Sequence, residues 1–130
     1  MVHDAARPCV TTACLEQLYQ TAVATDQSAI LAIPVRDTLK KLSQGTKIET
    51  TVSRDQLWQA QTPQIAKLDV LKTAIESALI QQLTITDEAS ALEAAGQIVN
   101  VVQGRSDNIK ITYPYDLELA RLILASQQCG

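Results

Sequence analysis

Ser28-Ala29-Ile30-Leu31-Ala32-Ile33-Pro34 sets five apolar residues in a row between a serine and a proline. A run this short without polar alternation suits a parallel strand covered on both faces, and Pro34, which lacks a ladder donor, stops it. It belongs in the middle of a sheet. Upstream, Leu15, Leu18, Tyr19, Ala22 and Val23 recur at helical spacing through Thr11 to Ala24, with Thr11 or Thr12 available as a cap. Downstream, a second helix is expected with Leu68, Leu71, Ala74, Ile75, Ala78 and Leu79 on one face. Leu57 to Gln61 reads as a strand, and Thr62-Pro63-Gln64 as the turn between the two. A third helix runs from Thr86 to Gly96, then come a strand at Ile98 to Val102, a short strand at Ile109 to Thr112, and a last helix opened by Pro114 with Leu117, Ala120, Ile123 and Leu124 inward. Strands alternating with helices predict an α/β domain with a largely parallel sheet.

One segment breaks that alternation. Thr38 to Leu42 and Thr46 to Val52 are polar and rich in β-branched residues, and they flank Ser43-Gln44-Gly45, which predicts a hairpin. An isolated two-stranded ribbon is marginal in water, so this one must lie on its own domain or on a second copy of the chain. The expected division is therefore an α/β core at 1–33 and 57–130 with a projecting hairpin arm at 34–56.

The chain has 130 residues, 46% hydrophobic and 19% charged, which suffices for one core. With no Phe, one Trp and three Tyr, that core must be filled by Leu, Ile, Val and Ala. A net charge of −3 gives no general attraction to nucleic acid, whose binders carry a basic face. No run approaches the roughly 20 apolar residues of a membrane span. Cys9, Cys14 and Cys129 lack the repeated spacing of a zinc site and read as reduced thiols, so cytoplasm or an organelle of similar redox state is the expected location.

Charged side chains gather at two places, His3-Asp4-Ala5-Ala6-Arg7-Pro8 and Asp107-Asn108-Ile109-Lys110-Ile111-Thr112. Both lie at or just past a short apolar strand, where open α/β sheets hold ligands, and together they suggest an anionic substrate. Asp4 suits a ribose hydroxyl or a Mg²⁺ travelling with phosphates, although an Asp at such a strand end is more often a turn or cap residue. Arg7, extended before Pro8, is expected to aim its guanidinium outward, as a ligand group or a plain surface arginine. Lys110 alternates with Ile109 and Ile111, so its ammonium faces away from the core, where it meets a phosphate or merely guards a sheet edge. Arg54, at the base of the hairpin, is either a fork for phosphate oxygens or a surface charge. Thr38 and Thr62 offer hydroxyls without specificity of their own. Asp87 and Glu88 stand where a helix start favours acids, as caps or as neighbours of a pocket.

Other chemistry finds no support. His3 is the single histidine, no Gly-x-Ser-x-Gly elbow occurs, and neither Cys9 nor Cys14 has a second histidine to activate it. No Walker or Gly-x-Gly-x-x-Gly loop occurs among the four glycines. If the chain handles a nucleotide, another segment holds the triphosphate.

Val2-His3-Asp4-Ala5-Ala6-Arg7-Pro8, Pro34-Val35-Arg36-Asp37-Thr38, Ser53-Arg54 with Leu57 to Gln64, Thr86 to Ala91, and Gly104 to Thr112 occur in the order found in the 2-C-methyl-D-erythritol 4-phosphate cytidylyltransferase family, which this chain resembles over nearly its whole length. The resemblance implies a Rossmann-like nucleotidyltransferase fold and a homodimer clasped by its hairpin arms. It implies a transferase of non-mevalonate isoprenoid biosynthesis that joins CTP to methylerythritol phosphate and releases pyrophosphate, with Mg²⁺ carried mainly by the CTP phosphates. Carried over by motif, Asp4, Ala5 and Arg7 would line the pocket beside the ribose, and Lys110 and Arg54 would position the attacking phosphate. Thr38 and Arg54 would serve the partner's site, and Thr62 would complete the pocket. A plastid-like compartment joins the cytoplasm as an expected location.

The family's front portion, a glycine-rich loop bearing an arginine and a lysine, has no counterpart in these residues, and Met1-Val2 opens as if in mid-strand. The expectation is a carboxyl-terminal part, inactive alone and less stable than its parent because a sheet edge lies open. The alternative is a catalytically silent dimerisation or binding module derived from the same fold.

Overall fold

A computed structural model describes residues 1–129, with side chains through residue 128. The elements in chain order are α1 (Thr12–Thr25), β1 (Ser28–Pro34), β2 (Leu39–Leu42), β3 (Ile48–Val52), β4 (Trp58–Ile65), α2 (Leu68–Ile80), α3 (Glu88–Ala94), β5 (Val99–Gln103) and α4 (Pro114–Cys129). The chain is α/β, as its alternation predicts.

β1 is the middle strand of a three-stranded sheet ordered β4-β1-β5. It runs parallel to β5, from Ser28 opposite Val99 to Ala32 opposite Gln103, and antiparallel to β4. The sheet is mixed rather than largely parallel, because the hairpin reverses the chain between β1 and β4; β4 returns the chain to the end where β1 starts, and α2 and α3 then carry it past β1 to β5. Val2 adds an antiparallel bridge to Gln64 on the outer side of β4.

Successive β1 residues are buried on opposite faces. Ala29 and Leu31 pack with Cys14 and Leu18 of α1 and with Val102. Ile30 and Ala32 pack with Ala89 of α3. Leu18 and Leu31 have no exposed surface, and each contributes about 1.5–3 kcal/mol through burial. Small residues bring α2 against α3: Ala74 meets Ala91 and Leu92, with Leu71, Ile75 and Val99 around them.

α1 begins where Thr11 accepts a hydrogen bond from the Cys14 backbone N–H. Its buried stripe centres on Cys14 and Leu18, which leaves Tyr19 and Val23 on the far side, 57% and 62% exposed. Their expected inward orientation is thus corrected by about one helical step of rotation. Leu68 and Leu79 of α2 likewise face outward, as does Leu117 of α4. Cys9 and Cys14 are buried free thiols. The Cys129 thiol lies outside the described side chains.

Two further expectations change. Thr62-Pro63-Gln64 is no turn: β4 continues to Ile65, because the register shifts between Ile30 and Ala32 and the irregularity absorbs a proline that has no ladder donor. Ile109 to Thr112 forms no strand. Its neighbour is the turn at Ala5-Ala6, and one hydrogen bond, from Ile111 N–H to the Ala6 carbonyl at 2.8 Å, takes the place of a ladder.

The hairpin forms as expected. β2 and β3 pair antiparallel, Leu39 opposite Val52, in a two-stranded sheet of their own, and Gly45 takes the left-handed φ of +60° that the turn requires. β3 is exposed along its whole length.

Candidate functional site

The two charged motifs meet in space. The loop after Val2 and the loop after β5 lie against the irregular part of β4. Thr62 sits between them: its Oγ1 accepts from the Asp4 backbone N–H at 2.9 Å and lies 2.9 Å from His3 Nδ1. The other ring nitrogen of His3, Nε2, is 2.8 Å from the Arg7 carbonyl. A carbonyl only accepts, so Nε2 carries the proton; in the neutral ring Nδ1 then accepts from the Thr62 hydroxyl.

Asp4 is the anionic centre of the cluster. Arg7 Nε reaches its Oδ2 at 3.4 Å, and Lys110 Nζ approaches the same oxygen at 3.9 Å. Arg7 does not aim outward as the sequence suggests. Its side chain is 13% exposed, and Nη1 donates to the Asn108 carbonyl at 2.7 Å, because the turn that returns the Arg7 N–H to the Asp4 carbonyl swings it inward. Lys110 is 55% exposed, with half-buried Ile109 and Ile111 on either side, which matches the alternation read from the sequence. Its ammonium is loosely held and open to an incoming anion. Ala5 lies exposed in the turn between Asp4 and Arg7.

Beneath this cluster lies a polar layer that sequence reasoning missed. Asn108 is 2% exposed, and its Nδ2 donates to the Thr62 carbonyl at 3.0 Å and to Gln61 Oε1 at 3.5 Å. Gln61 Nε2 donates to the Arg105 carbonyl at 3.0 Å. Gly104 completes the fit, since a Cβ there would stand 2.5 Å from Gln61 Oε1. An Asn next to Asp, in a stretch read as a turn, gives no sign that its amide is buried.

Asp107 is spent on its neighbour. Arg105 grips it with two hydrogen bonds of 2.9 and 2.8 Å, and this holds the carboxyl below the ordinary aspartate value. Burial, with the Asp107 charge beside it, pushes the Cys9 thiol up and makes it a poor nucleophile. Asp87 is a cap: its Oδ1 accepts from Ser90 N at 2.8 Å and its Oδ2 from Gln64 Nε2 at 3.0 Å.

Thr38 and Arg54 stand apart from this cluster. Both are exposed on the arm, and Arg54 Nη1 donates to the Arg36 carbonyl rather than to any group near Asp4. Among the described residues no set of three His, Cys, Asp or Glu side chains is placed to hold a metal ion. No described helix is long and apolar enough to cross a membrane.

A half-buried carboxylate flanked by two cations, a hydroxyl and backbone donors is suited to a ligand that brings both hydroxyl and phosphate groups. The family model described as 2-C-methyl-D-erythritol 4-phosphate cytidylyltransferase matches residues 1–126. A protein of that description from Acinetobacter baumannii (strain SDF) is 72% identical over 127 residues, covering 98% of this chain and 53% of its own length. One from Shewanella amazonensis is 51% identical over 128 residues, covering 98% and 54%. Among solved structures, the Thermus thermophilus enzyme superposes with a TM-score of 0.86 at 33% identity, covering 94% of this chain and 59% of that one. The Francisella tularensis enzyme gives 0.83 at 39%, covering 94% and 57%. With these neighbours the α/β arrangement is a Rossmann-like nucleotidyltransferase fold. The chain spans about half the length of the curated relatives it matches. It belongs to the 2-C-methyl-D-erythritol 4-phosphate cytidylyltransferase family.

Proposed function

We propose that this chain carries the substrate-binding part of an enzyme that joins CTP to 2-C-methyl-D-erythritol 4-phosphate, a step of isoprenoid biosynthesis. The observation that carries the reading is the convergence of Asp4, Arg7, Thr62 and Lys110 from distant stretches of sequence. In the reaction an oxygen of the methylerythritol phosphate attacks the α-phosphorus of CTP. The bond from that phosphorus to the β-phosphate oxygen breaks, and pyrophosphate leaves. Little covalent work falls to the protein, so alignment and charge compensation dominate.

Asp4 and the backbone at Ala5 receive the ribose hydroxyls, with Arg7 bracing the carboxylate. Lys110 holds the attacking phosphate from one side. Arg54, on the arm of a second copy, holds it from the other, and Thr38 of that copy and Thr62 close the pocket. Mg²⁺ would be held mainly by the CTP phosphates, whose charge it would offset, since no described set of three His, Cys, Asp or Glu side chains is placed to hold the ion. We assign the arm at 34–56 to dimerisation, and the protein to the cytoplasm or a plastid-like compartment.

The test is pyrophosphate release from CTP and methylerythritol phosphate by the full-length protein that contains this chain, and by this chain with and without a separately supplied front portion. Release by the full-length protein, none by the chain alone and partial recovery on mixing are expected. No release by the full-length protein would sink the reading and favour a silent dimerisation module.

A further inference from the structure

Three stretches of chain meet at Asn108. Its carbonyl accepts from Arg7 Nη1 of the first loop, and its Nδ2 donates to the Thr62 carbonyl and Gln61 Oε1 of β4. Its own N–H returns to the Arg105 carbonyl at 3.2 Å. Lys110 follows two residues later.

The orientation of both amides is fixed by chemistry. The Arg105 carbonyl only accepts, so Gln61 must present its nitrogen there and its oxygen toward Asn108. Asn108 then faces two acceptors, the Gln61 amide oxygen and the Thr62 carbonyl, and must present its nitrogen to both. Its Oδ1 is left buried with no donor among the described residues. An orphaned buried acceptor weakens a fold, so what this side chain contributes comes through its nitrogen.

We propose that Asn108 is a positioning residue that sets the spacing between Thr62 and Lys110, and so between the ribose side and the phosphate side of the pocket. This rests on the function proposed above. Asn108 is buried and touches neither substrate; it acts through the Thr62 carbonyl, the Arg7 guanidinium and the loop that ends in Lys110. Losing its nitrogen leaves β4 tied to that loop, among the described residues, by the hydrogen bond from Gln61 Nε2 to the Arg105 carbonyl, which lies three residues further from Lys110. Both substrates still bind, but their reacting atoms are misaligned, which costs turnover rather than affinity.

The test uses the full-length enzyme with Asn108→Ala and Asn108→Asp, each assayed at a temperature where circular dichroism shows it folded. Asn108→Asp keeps the shape but turns an oxygen toward two acceptors, whereas Asn108→Ala removes the group. A loss in kcat of about 10-fold for Asn108→Ala and about 100-fold for Asn108→Asp is expected, with both KM values within about threefold of the parent. A residue that only fills space gives the opposite order, Asn108→Asp milder than Asn108→Ala, and that order overturns the proposal. If Asn108→Asp does not fold, Asn108→Ala decides alone: parental kcat with only a lower melting temperature overturns it. Should the parent enzyme release no pyrophosphate, the functional reading fails, and crystal structures decide the geometry. An unchanged separation of Thr62 and Lys110 in Asn108→Ala overturns the inference; a displaced Lys110 loop supports it.

Discussion

Lys110 and Arg54 are both exposed cations, yet they differ in their surroundings. Lys110 hangs beside Asp4 at 3.9 Å, while Arg54 rests on the Arg36 carbonyl of its own arm. If the two grip one phosphate from different copies, Arg54→Ala in the complete enzyme removes charge-assisted hydrogen bonds to that phosphate and to nothing on CTP. The expected result is a fall of about 10- to 100-fold in kcat/KM for methylerythritol phosphate, with the KM for CTP nearly unchanged. Steady-state kinetics with each substrate varied in turn checks this, and equal damage to both would remove Arg54 from the assigned role. Asp107 offers a pH test. Arg105 holds its carboxyl below the ordinary value of about 3.9, so the unfolded chain takes up its proton first as pH falls. The stabilisation is present above that ordinary value and disappears as pH drops through the lowered one. Carboxyl carbon NMR titration of Arg105→Ala should show Asp107 moving back up toward the ordinary value, with stability at neutral pH little changed because the Arg105 side chain is 59% exposed and water screens the pair.

The helix α3 shows how one cap serves two elements. Asp87 closes a capping box with Ser90 and also accepts from Gln64 of β4, whose Oε1 in turn takes the Ala89 N–H at 2.9 Å. Asp87→Ala should therefore cost about 1–2 kcal/mol, the upper part of the usual capping range, and Asp87→Asn distinctly less; urea unfolding midpoints of the variants check this. The acidic helix start was legible because a cap uses local hydrogen bonds between residues three apart. β1 was legible because it is buried on both faces and needs no polar alternation. The arm was legible from its polar β-branched runs and its glycine. What escaped reading depends on groups distant in sequence. The outward side of α1 at Tyr19 and Val23 depends on which stripe the sheet selects. The passage of β4 through Pro63 depends on an irregularity opposite Leu31 of another strand. In the site, Asp4 and Lys110 announce themselves by charge in apolar company. Gln61 and Asn108 look like ordinary polar residues until the fold buries them at 4% and 2% exposure.

At the scale of the whole chain, the arm stands apart from the three-stranded sheet. β2 and β3 form a separate sheet that leaves Leu42 49% and Ile48 61% exposed, and a ribbon of two strands is marginal without support. A second copy meeting the arm through a two-fold axis would cover those side chains and, by symmetry, deliver each Arg54 to the other copy's Lys110. Complementation follows from that geometry. In the complete enzyme, Arg54→Ala and Lys110→Ala each disable both sites of a symmetric dimer. In a mixed dimer one site inherits both defects and the other inherits neither. Random exchange of equal amounts makes half the dimers mixed, so about a quarter of the parental sites should return, against almost none in either variant alone. Pyrophosphate release after co-refolding, with analytical ultracentrifugation to show that dimers have formed, measures it. Dimers that form without recovered activity would mean that Arg54 acts within its own chain. A complete enzyme that stays monomeric and fully active would leave the arm without the role assigned to it.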